Sequence, residues 1–382
     1  MILVLAACSS PPVREAGPSP EEEETAFRAA SRPGQPAIAD GVIYLGTEAG
    51  VLHALEMETG RELWRFQAGG PVFHAPIVHG ELVIFGSWDG RLRAVSRATG
   101  ALRWEFEAGQ VEWDARDIFI NGIPTIVDDV VYFSSEDFNV YAVEAGTGLE
   151  AWRHNLGEEP QAREIPVIDR TAYVGAWDGY LYALDIDTGE RVWRSTTDDH
   201  NRAALPNQVP FVTVVPIVTE EAVFFTDWAG NLFAVERTNG RQIWRFDPHA
   251  ADSRHVGSRS YFALHADVLY YSTLEDRHLY GVDRRTGQQV WSVETEGIAY
   301  GPRAVGDGIG LYMEFVPDAT GEEESAFLRA MDLESRQVLW STDEAVSPPT
   351  VADGVVYYAG ADGSVHGREL HGGEKIFRLG GL

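Results

Sequence analysis

Seven tryptophans recur at a nearly constant interval along this chain, and each closes a copy of one short phrase. The phrase is Thr-Gly, three further residues and Trp, as in Thr188-Gly189 followed by Trp193. Successive copies lie 40 to 51 residues apart, and an eighth ends with Phe377 in place of Trp. The seven tryptophans are Trp64, Trp104, Trp152, Trp193, Trp244, Trp291 and Trp340. A period of this length, built from short strands, is typical of a β-propeller.

Each repeat contains four apolar runs separated by turn residues. The second copy reads HAPIVHG, ELVIFGSWDG, RLRAVSRATG and ALRWEFEAG, with Gly, Asp or Thr-Gly ending each of the first three runs. Such runs are typical of antiparallel strands joined by tight turns. The sequence therefore predicts an all-β, eight-bladed β-propeller with four-stranded antiparallel blades. We expect each repeated Trp on the outermost strand of its blade, with its ring packed against the neighbouring blade.

Two ways of closing the ring remain open from the sequence. Residues Thr25 to Ala30 have the pattern of a spare outer strand for the last blade. Residues Glu374 to Leu379 have the pattern of a strand that completes that blade without help. Either arrangement removes exposed sheet edges between the first and last blades.

The phrase A-x-D-x-x-T-G-x-x-x-W, present from Ala183 to Trp193, resembles the tryptophan-docking repeat of the PQQ-like (quinoprotein-type) β-propellers. The resemblance covers roughly residues 36 to 380, since looser copies recur in register. It implies a propeller but leaves the chemistry open between two branches. One contains dehydrogenases that use pyrroloquinoline quinone (PQQ), and the other contains non-catalytic lipoproteins such as the outer-membrane assembly factor BamB.

Charge narrows the range of partners. The chain carries 59 acidic residues against 30 Lys and Arg, for a formal net charge of -29. A surface of this sign repels phosphate backbones, so we expect no nucleic-acid binding. No apolar run reaches the roughly 18 residues that a membrane-spanning helix needs.

The N-terminal residues predict a lipid anchor. Cys8, the only cysteine, follows Leu5-Ala6-Ala7 and resembles the lipidated cysteine of a bacterial lipobox. We expect a lipoprotein-type signal segment at 1–8, truncated because it lacks a basic region. The Pro- and Glu-rich residues 9–35 predict a flexible tether, and 36–382 the propeller. Ser9 after the cysteine favours an outer-membrane lipoprotein facing the periplasm, and surface display stays open.

Departures from the repeat concentrate in two kinds of connection, which emerge on one face of an up-and-down propeller. These are the links from one blade to the next and the turn between the second and third strands, including an insertion at 316–326 in blade 7. We expect a candidate binding face there, with two alternatives for its tryptophans: anchors for a partner, or lids over their own blades. Its residues are Trp88, Trp113, Asp114, Arg116, Arg163, Trp177, Arg202, Trp228, Arg259 and Arg303.

Catalysis is the less favoured hypothesis. In PQQ dehydrogenases Ca²⁺ bound by oxygen ligands polarises the quinone, and adjacent cysteines contact it. Adjacent cysteines are absent here, and the candidate oxygen ligands, Asp114, Asp117, Glu164 and Asn207, show no repeated metal spacing. We therefore expect no enzyme activity, no catalytic residue, no metal and no cofactor. The sequence favours an envelope-associated scaffold that binds protein partners, among them the outer-membrane β-barrel assembly machinery, around blades 3 to 6. The alternative is a PQQ- and Ca²⁺-dependent dehydrogenase or another propeller that binds a small ligand.

Overall fold

A computed structural model describes most of the chain from Gly34 to Leu379. The described residues are 34–109, 119–120, 122–157, 160, 164–197, 212, 215–248, 260–273, 277–317, 324–345, 347, 349–360 and 364–379. Within them there are 32 strands, and no α-helix occurs in these ranges. Accordingly, the described residues contain no helix that is long and apolar enough to cross a membrane.

The first sixteen strands form four blades of four consecutive strands each. Blade 1 contains β1 (Ala37–Ala39), β2 (Val42–Gly46), β3 (Val51–Glu56) and β4 (Glu62–Gln67). Blade 2 contains β5 (Ile77–His79), β6 (Leu82–Ser87), β7 (Arg91–Ser96) and β8 (Leu102–Glu107). Blade 3 contains β9 (Thr125–Val127), β10 (Val130–Ser134), β11 (Asn139–Glu144) and β12 (Glu150–Asn155). Blade 4 contains β13 (Val167–Ile168), β14 (Thr171–Gly175), β15 (Tyr180–Asp185) and β16 (Arg191–Thr196).

The remaining strands repeat the pattern. Blade 5 contains β17 (Ile217–Val218), β18 (Ala222–Thr226), β19 (Leu232–Glu236) and β20 (Gln242–Phe246). Blade 6 contains β21 (Ser260–His265), β22 (Val268–Thr273), β23 (His278–Asp283) and β24 (Gln289–Glu294). Blade 7 contains β25 (Ile298–Gly306), β26 (Ile309–Pro317), β27 (Glu324–Asp332) and β28 (Val338–Thr342). Blade 8 contains β29 (Thr350–Ala352), β30 (Val355–Ala359), β31 (Val365–Glu369) and β32 (Lys375–Leu379).

Eight antiparallel four-stranded sheets confirm the predicted fold class. Each sheet has its strands in sequence order, from the first strand at one edge to the fourth strand at the other. The second and third strands are almost wholly buried, as in Leu82–Ser87, whereas the fourth strand alternates between exposed and buried residues around its Trp. This gradient is expected because neighbouring blades cover the middle of each sheet but leave its outer strand partly in water.

The repeated Trp joins each blade to the next. The Nε1–H of Trp64 donates to the carbonyl oxygen of Arg97 at 2.8 Å, and its ring lies on Gly100 of blade 2. Equivalent bonds of 2.7 to 3.0 Å are made by Trp104, Trp152, Trp193, Trp244 and Trp340. Gly100 has a φ of 69°, which glycine adopts readily, and a Cβ there would lie 2.7 Å from the indole. The Thr-Gly turn thus provides both the turn geometry and the docking surface.

The last blade closes the ring onto the first. Leu379 packs in one apolar cluster with Ile43 and Leu55 of blade 1. The Thr350 hydroxyl donates to the carbonyl oxygen of Pro36 at 3.0 Å. Of the two closures left open by the sequence, the described residues contain the second, in which β32 completes blade 8. The alternative strand from Thr25 to Ala30 lies outside the described residues.

Blade 7 departs from the sequence-based expectation. The segment 316–326, interpreted as an inserted loop, begins and ends as paired strand: Val316 pairs with Ser325, and Pro317 with Glu324. The second and third strands of this blade are therefore nine residues long, compared with five or six elsewhere. The extra strand residues, FVP at 315–317 and ESAF at 324–327, are too few for an alternating pattern to identify them as strand from the sequence.

Candidate binding face

The connections between blades and the turns between second and third strands lie on the same side of the ring, here called the loop face. The connection from blade 1 to blade 2 is bonded to the turns of both blades. Val72 N donates to the carbonyl oxygen of Thr47 at 2.9 Å, and Trp88 N donates to that of Pro71 at 2.9 Å. The connection is therefore held by backbone hydrogen bonds on both sides rather than lying loosely over the ring.

The same arrangement recurs around the ring. Ile120 N donates to the carbonyl oxygen of Ser87 at 3.4 Å, and Glu136 N to that of Phe119 at 3.2 Å. Val212 N donates to the carbonyl oxygen of Ala176 at 3.2 Å, and Val212 also forms a β-bridge with Asp227 of the next blade. At their described residues, three connections are thus hydrogen-bonded to the turns of the blades on either side.

A buried aliphatic residue fastens each of these connections. Val72, Ile120 and Val212 are at most 1 % exposed. Each lies over a glycine at the end of a second strand, where a Cβ would overlap the aliphatic side chain; the glycines are Gly46, Gly86 and Gly175. These contacts were missed from the sequence. The available signal was the glycine that ends VIYLG, LVIFG and TAYVG.

Asp89, in the turn of blade 2, is held by a buried ion pair. It accepts hydrogen bonds from Ser87 Oγ and from Arg93 Nη2, the latter at 2.5 Å, and from Gly69 N at 3.1 Å. Arg93 also donates to Glu105 at 2.7 Å. Burial opposes ionisation of Asp89, but the bonds from Arg93 and Ser87 outweigh it and hold its pKa below the usual value. Asp89 therefore braces the turn and the connection above it.

The corresponding acids of blades 3 and 4 have the same role with tyrosine partners. Asp137 accepts hydrogen bonds from the Tyr141 hydroxyl and, at 2.7 Å, from Gly109 N. Asp178 accepts from the Tyr182 hydroxyl at 2.5 Å, and burial together with this carboxylate raises the pKa of Tyr182 to about 12. The sequence signal, unrecognised beforehand, is an Asp four residues before Arg or Tyr.

Trp88 is packed as a lid. Its ring stacks on Phe119 with centroids 4.7 Å apart and meets Phe73 edge-on, also at 4.7 Å. Its Nε1 is buried and has no hydrogen-bond partner in the described structure. The indole of Trp88 is therefore covered by Phe73 and Phe119 from the connections before and after blade 2. This is the arrangement expected if Trp88 is a lid over its own blade.

Trp177 differs from Trp88 in its exposure. It occupies the same turn position in blade 4, but 37 % of its surface is exposed. Trp228, in the turn of blade 5, is half-buried. Next to Trp177 along the chain, Tyr180 lies under the guanidinium of Arg194 at 4.2 Å. Blade 4 therefore presents aromatic surface to solvent on the loop face, as an anchor for a partner requires.

Glu164 is the one candidate oxygen ligand among the described residues. It precedes β13, the innermost strand of blade 4, and its side chain is exposed. The surrounding protein nevertheless partly desolvates its carboxyl group and raises its pKa. Glu164 therefore offers a carboxylate on the loop face, at the start of an inner strand.

Several sequence-based candidates cannot be placed. Trp113, Asp114, Arg116, Asp117, Arg163, Arg202, Asn207 and Arg259 lie outside the described residues. The backbone of Arg303 belongs to β25, but its side chain is outside the described set. Of the predicted binding residues, those whose side chains are described, Trp88, Trp177 and Trp228, lie on the loop face.

The described turn carboxylates of the loop face are hydrogen-bonded within the fold. No group of three His, Cys, Asp or Glu side chains among the described residues is arranged to bind a metal ion. Asp89, Asp137 and Asp178 accept hydrogen bonds from donors of the turns, of the neighbouring strands and, for Asp89 and Asp137, of the connection before their blade. Three of the four candidate oxygen ligands lie outside the described residues, so the described loop face provides only Glu164 from that set.

Comparison with known proteins identifies the family. The profile of the family described as outer membrane protein assembly factor BamB matches residues 19–137, 104–293 and 275–379. The chain belongs to the BamB family. This membership confirms the resemblance to PQQ-like propellers and associates the chain with the bacterial cell envelope.

Relatives with other activities share parts of the sequence. Tetrathionate hydrolase of Acidithiobacillus ferrooxidans is 26 % identical over 248 residues, covering 57 % of this chain and 47 % of that protein. Quinohemoprotein alcohol dehydrogenase ADH-IIG of Pseudomonas putida is 32 % identical over 90 residues, covering 22 % of this chain and 12 % of that protein. The chain thus spans less than half the length of either curated relative.

The fold is also shared with a solved member of the family. BamB from Moraxella catarrhalis superposes with a TM-score of 0.65 and 19 % identity, covering 87 % of this chain and 92 % of that structure. At this identity the likeness shows the propeller fold and no more.

Proposed function

We propose that this BamB-family propeller is a non-catalytic scaffold that binds a protein partner through its loop face. The observation that carries the proposal is the exposure of Trp177 on a face where three connections are held at their described residues by backbone bonds. A rigid surface loses little conformational entropy on binding, and an exposed Trp can supply much of the affinity. Family membership supports a partner in outer-membrane protein assembly.

The proposal includes an envelope location. We infer that lipidation of Cys8 anchors the protein to the outer membrane and that the Pro- and Glu-rich residues up to 35 hold the propeller in the periplasm. The lipobox-like sequence and the family description support this arrangement. A lipid anchor at Cys8 would hold the propeller near membrane-embedded partners without placing it in the bilayer.

Affinity purification from detergent-solubilised envelope tests this function. The wild type should co-purify an outer-membrane β-barrel assembly protein, and Trp177→Ala should reduce recovery about tenfold or more, as loss of a binding anchor does. Ile376→Ala is a matched control, because Ile376 is 53 % exposed but lies on the outer strand of blade 8. Recovery unaffected by Trp177→Ala, or no such partner with the wild type, contradicts the proposal.

A PQQ- and Ca²⁺-dependent dehydrogenase is the second candidate, and the similarity to a quinohemoprotein alcohol dehydrogenase over 90 residues favours it. The hydrogen bonds that the turn carboxylates already accept from the fold speak against it. Incubation of the purified protein with PQQ and Ca²⁺ decides between them. Stoichiometric PQQ binding with Ca²⁺-dependent dye reduction in the presence of alcohols or sugars supports the enzyme and contradicts the non-catalytic scaffold.

A further inference from the structure

Blade 7 carries a sheet that rises above the loop face. β26 and β27 remain paired through Pro317 and Glu324, beyond the point at which the hairpins of other blades end. The inner strand β25 lengthens with them, since Ile298 pairs with Phe315 and Tyr300 with Met313. Four extra residues of strand extend about 13 Å at 3.3 Å per residue. The projection is therefore a small three-stranded sheet.

One edge of this projecting sheet is open. β28 pairs with β27 only from Leu328 to Met331, so Glu324–Phe327 pairs with β26 on one side alone within the described structure. In blade 2, by contrast, the fourth strand pairs with the third from its first residue, Arg91, onward. Among the described strands, the open edge Glu324–Phe327 thus has pairing on one side only.

The direction of the backbone groups follows from the pairing below the open edge. Asp332 N donates to the carbonyl oxygen of Gln337, on the side of β28, at 3.0 Å. Because successive residues of a strand alternate the direction of their N–H and C=O groups, every second residue of β27 faces the same way. Ala326 is therefore the central residue whose N–H and C=O lie along the open edge. Ser325 beside it is exposed, and Ala326 is half-buried.

The charge around the open edge is negative. Arg329 is the nearest described cation along the strand, and it is already paired with Glu314 and, at 2.7 Å, with Glu296. Two carboxylates against one guanidinium leave an excess negative charge, and the Glu296 side chain is 73 % exposed. Another copy of this acidic chain would be repelled here, whereas a basic segment would be attracted.

We propose that the open edge Glu324–Phe327 binds an extended, basic segment of a partner protein as an added antiparallel or parallel strand. Main-chain hydrogen bonds at Ala326 give affinity, and the surrounding carboxylates select Lys and Arg side chains. This inference rests on the proposed scaffold function and specifies one chemistry by which that scaffold takes hold of a partner. It is distinct from the Trp177 surface, which lies on blade 4.

Binding of a synthetic peptide to the full-length protein tests the proposal. The probe is a fluorescein-labelled octapeptide of alternating Val and Lys, measured by anisotropy, with an alternating Val and Glu octapeptide as the charge control. The basic peptide should bind, with affinity that falls as salt is added, and the acidic peptide should not. Ala326→Pro should weaken binding about tenfold, because proline removes the edge N–H.

Ala326→Val provides the matched control, because it also enlarges the side chain but keeps the N–H. It should bind the basic peptide like the wild type, and all variants should have wild-type melting curves. Hydrogen exchange at the Ala326 amide should slow when the peptide is bound, which gives a readout independent of affinity. Equal binding by Ala326→Pro and Ala326→Val, or no binding of the basic peptide, overturns this inference. Partner recovery that depends on Trp177 would then still support the scaffold function, so the two failures are distinguishable.

Discussion

The indole of Trp291 lies against Gly281, its cross-strand neighbour in the same blade, so closely that a Cβ on Gly281 would overlap the ring. In the other blades with a repeated Trp the paired position is alanine: Ala54, Ala94, Ala142, Ala183, Ala234 and Ala330. The exception has a counterpart in blade 7. In the other blades, the ring of the repeated Trp lies on a glycine in the third turn of the next blade. For Trp291 the equivalent position in blade 7 is Arg336, which has a φ of 64°. The two substitutions are therefore complementary: Arg336 removes the docking surface, and Gly281 provides another.

Gly281→Ala should accordingly destabilise the protein by about 1–3 kcal/mol, the usual cost of overpacking a filled site. Arg336→Gly should stabilise it by about 1 kcal/mol, because glycine adopts the left-handed backbone without steric cost. In the double variant the indole can dock on the new glycine, so the cost of Gly281→Ala should shrink. Urea denaturation of the four proteins measures this coupling, and strictly additive effects would show that the two positions are independent.

Trp193 and Trp177 should differ sharply in their effect on stability. Trp193 is 8 % exposed, lies on Gly240 and donates to the carbonyl oxygen of Arg237 at 2.9 Å. Its replacement by Ala should cost about 3–5 kcal/mol, as for other buried aromatic residues. Trp177→Ala should cost much less, because that ring is partly in water. Similar large losses in the two variants, measured by chemical denaturation, would show that Trp177 is a core residue.

Acid should weaken blade 8 through Glu344. Hydrogen bonds from Lys375 at 2.8 Å and Arg368 at 2.9 Å lower the pKa of Glu344 from 4.5 to about 2. A carboxylate with a lowered folded-state pKa stabilises the fold above its unfolded pKa, and this contribution is lost as the pH falls. The loss should therefore occur between about pH 4.5 and 2.

Comparison with Glu344→Gln isolates this effect. The variant should be less stable than wild type at neutral pH, and the difference should stay constant down to about pH 5 and then shrink towards pH 2. Glu334→Gln, at an exposed turn position of blade 7, serves as the control. Thermal melts across this range provide the measurement. A wild-type advantage that persists unchanged at pH 2 contradicts the assigned ionisation of Glu344.

The repeat made the fold predictable from the sequence. The contacts on the loop face could be predicted only in part. A Thr-Gly turn followed by Trp recurs in register, and one local rule applied eight times specifies strand number, turn position and blade order. The closure of blade 8 by β32 was one of two alternatives, because short strands such as Lys375–Leu379 have no distinctive pattern.

The features missed from the sequence depend on side-chain contacts that the repeat pattern does not specify. The burial of Val72 over Gly46 places the connection after blade 1 on the end of that blade's second strand, a contact that only the folded blade shows. The sequence does not distinguish Asp89 from the other 58 acidic residues, whereas the structure shows its bond to Arg93. Identical turn positions also diverged, since Trp88 is covered by Phe73 whereas Trp177 is exposed. The exposure of each turn residue depends on the connection that packs against it, and the repeat pattern does not specify that connection.

Attachment to the membrane should depend on Cys8. The sequence Leu5-Ala6-Ala7-Cys8 predicts that Cys8 becomes a lipid-modified N-terminus, and a lipid anchor holds an otherwise polar protein of net charge -29 at a membrane that would repel it. Expressed with its full native start, the wild type should sediment with the membrane fraction and label with a radioactive fatty acid. Cys8→Ser should lose the label and appear in the soluble fraction or as unprocessed precursor, while Cys8→Ser and wild type should melt alike because the change lies before the propeller. Identical fractionation of both proteins without any label would show that Cys8 is no anchor, and partner recovery through Trp177 would then have to occur from solution.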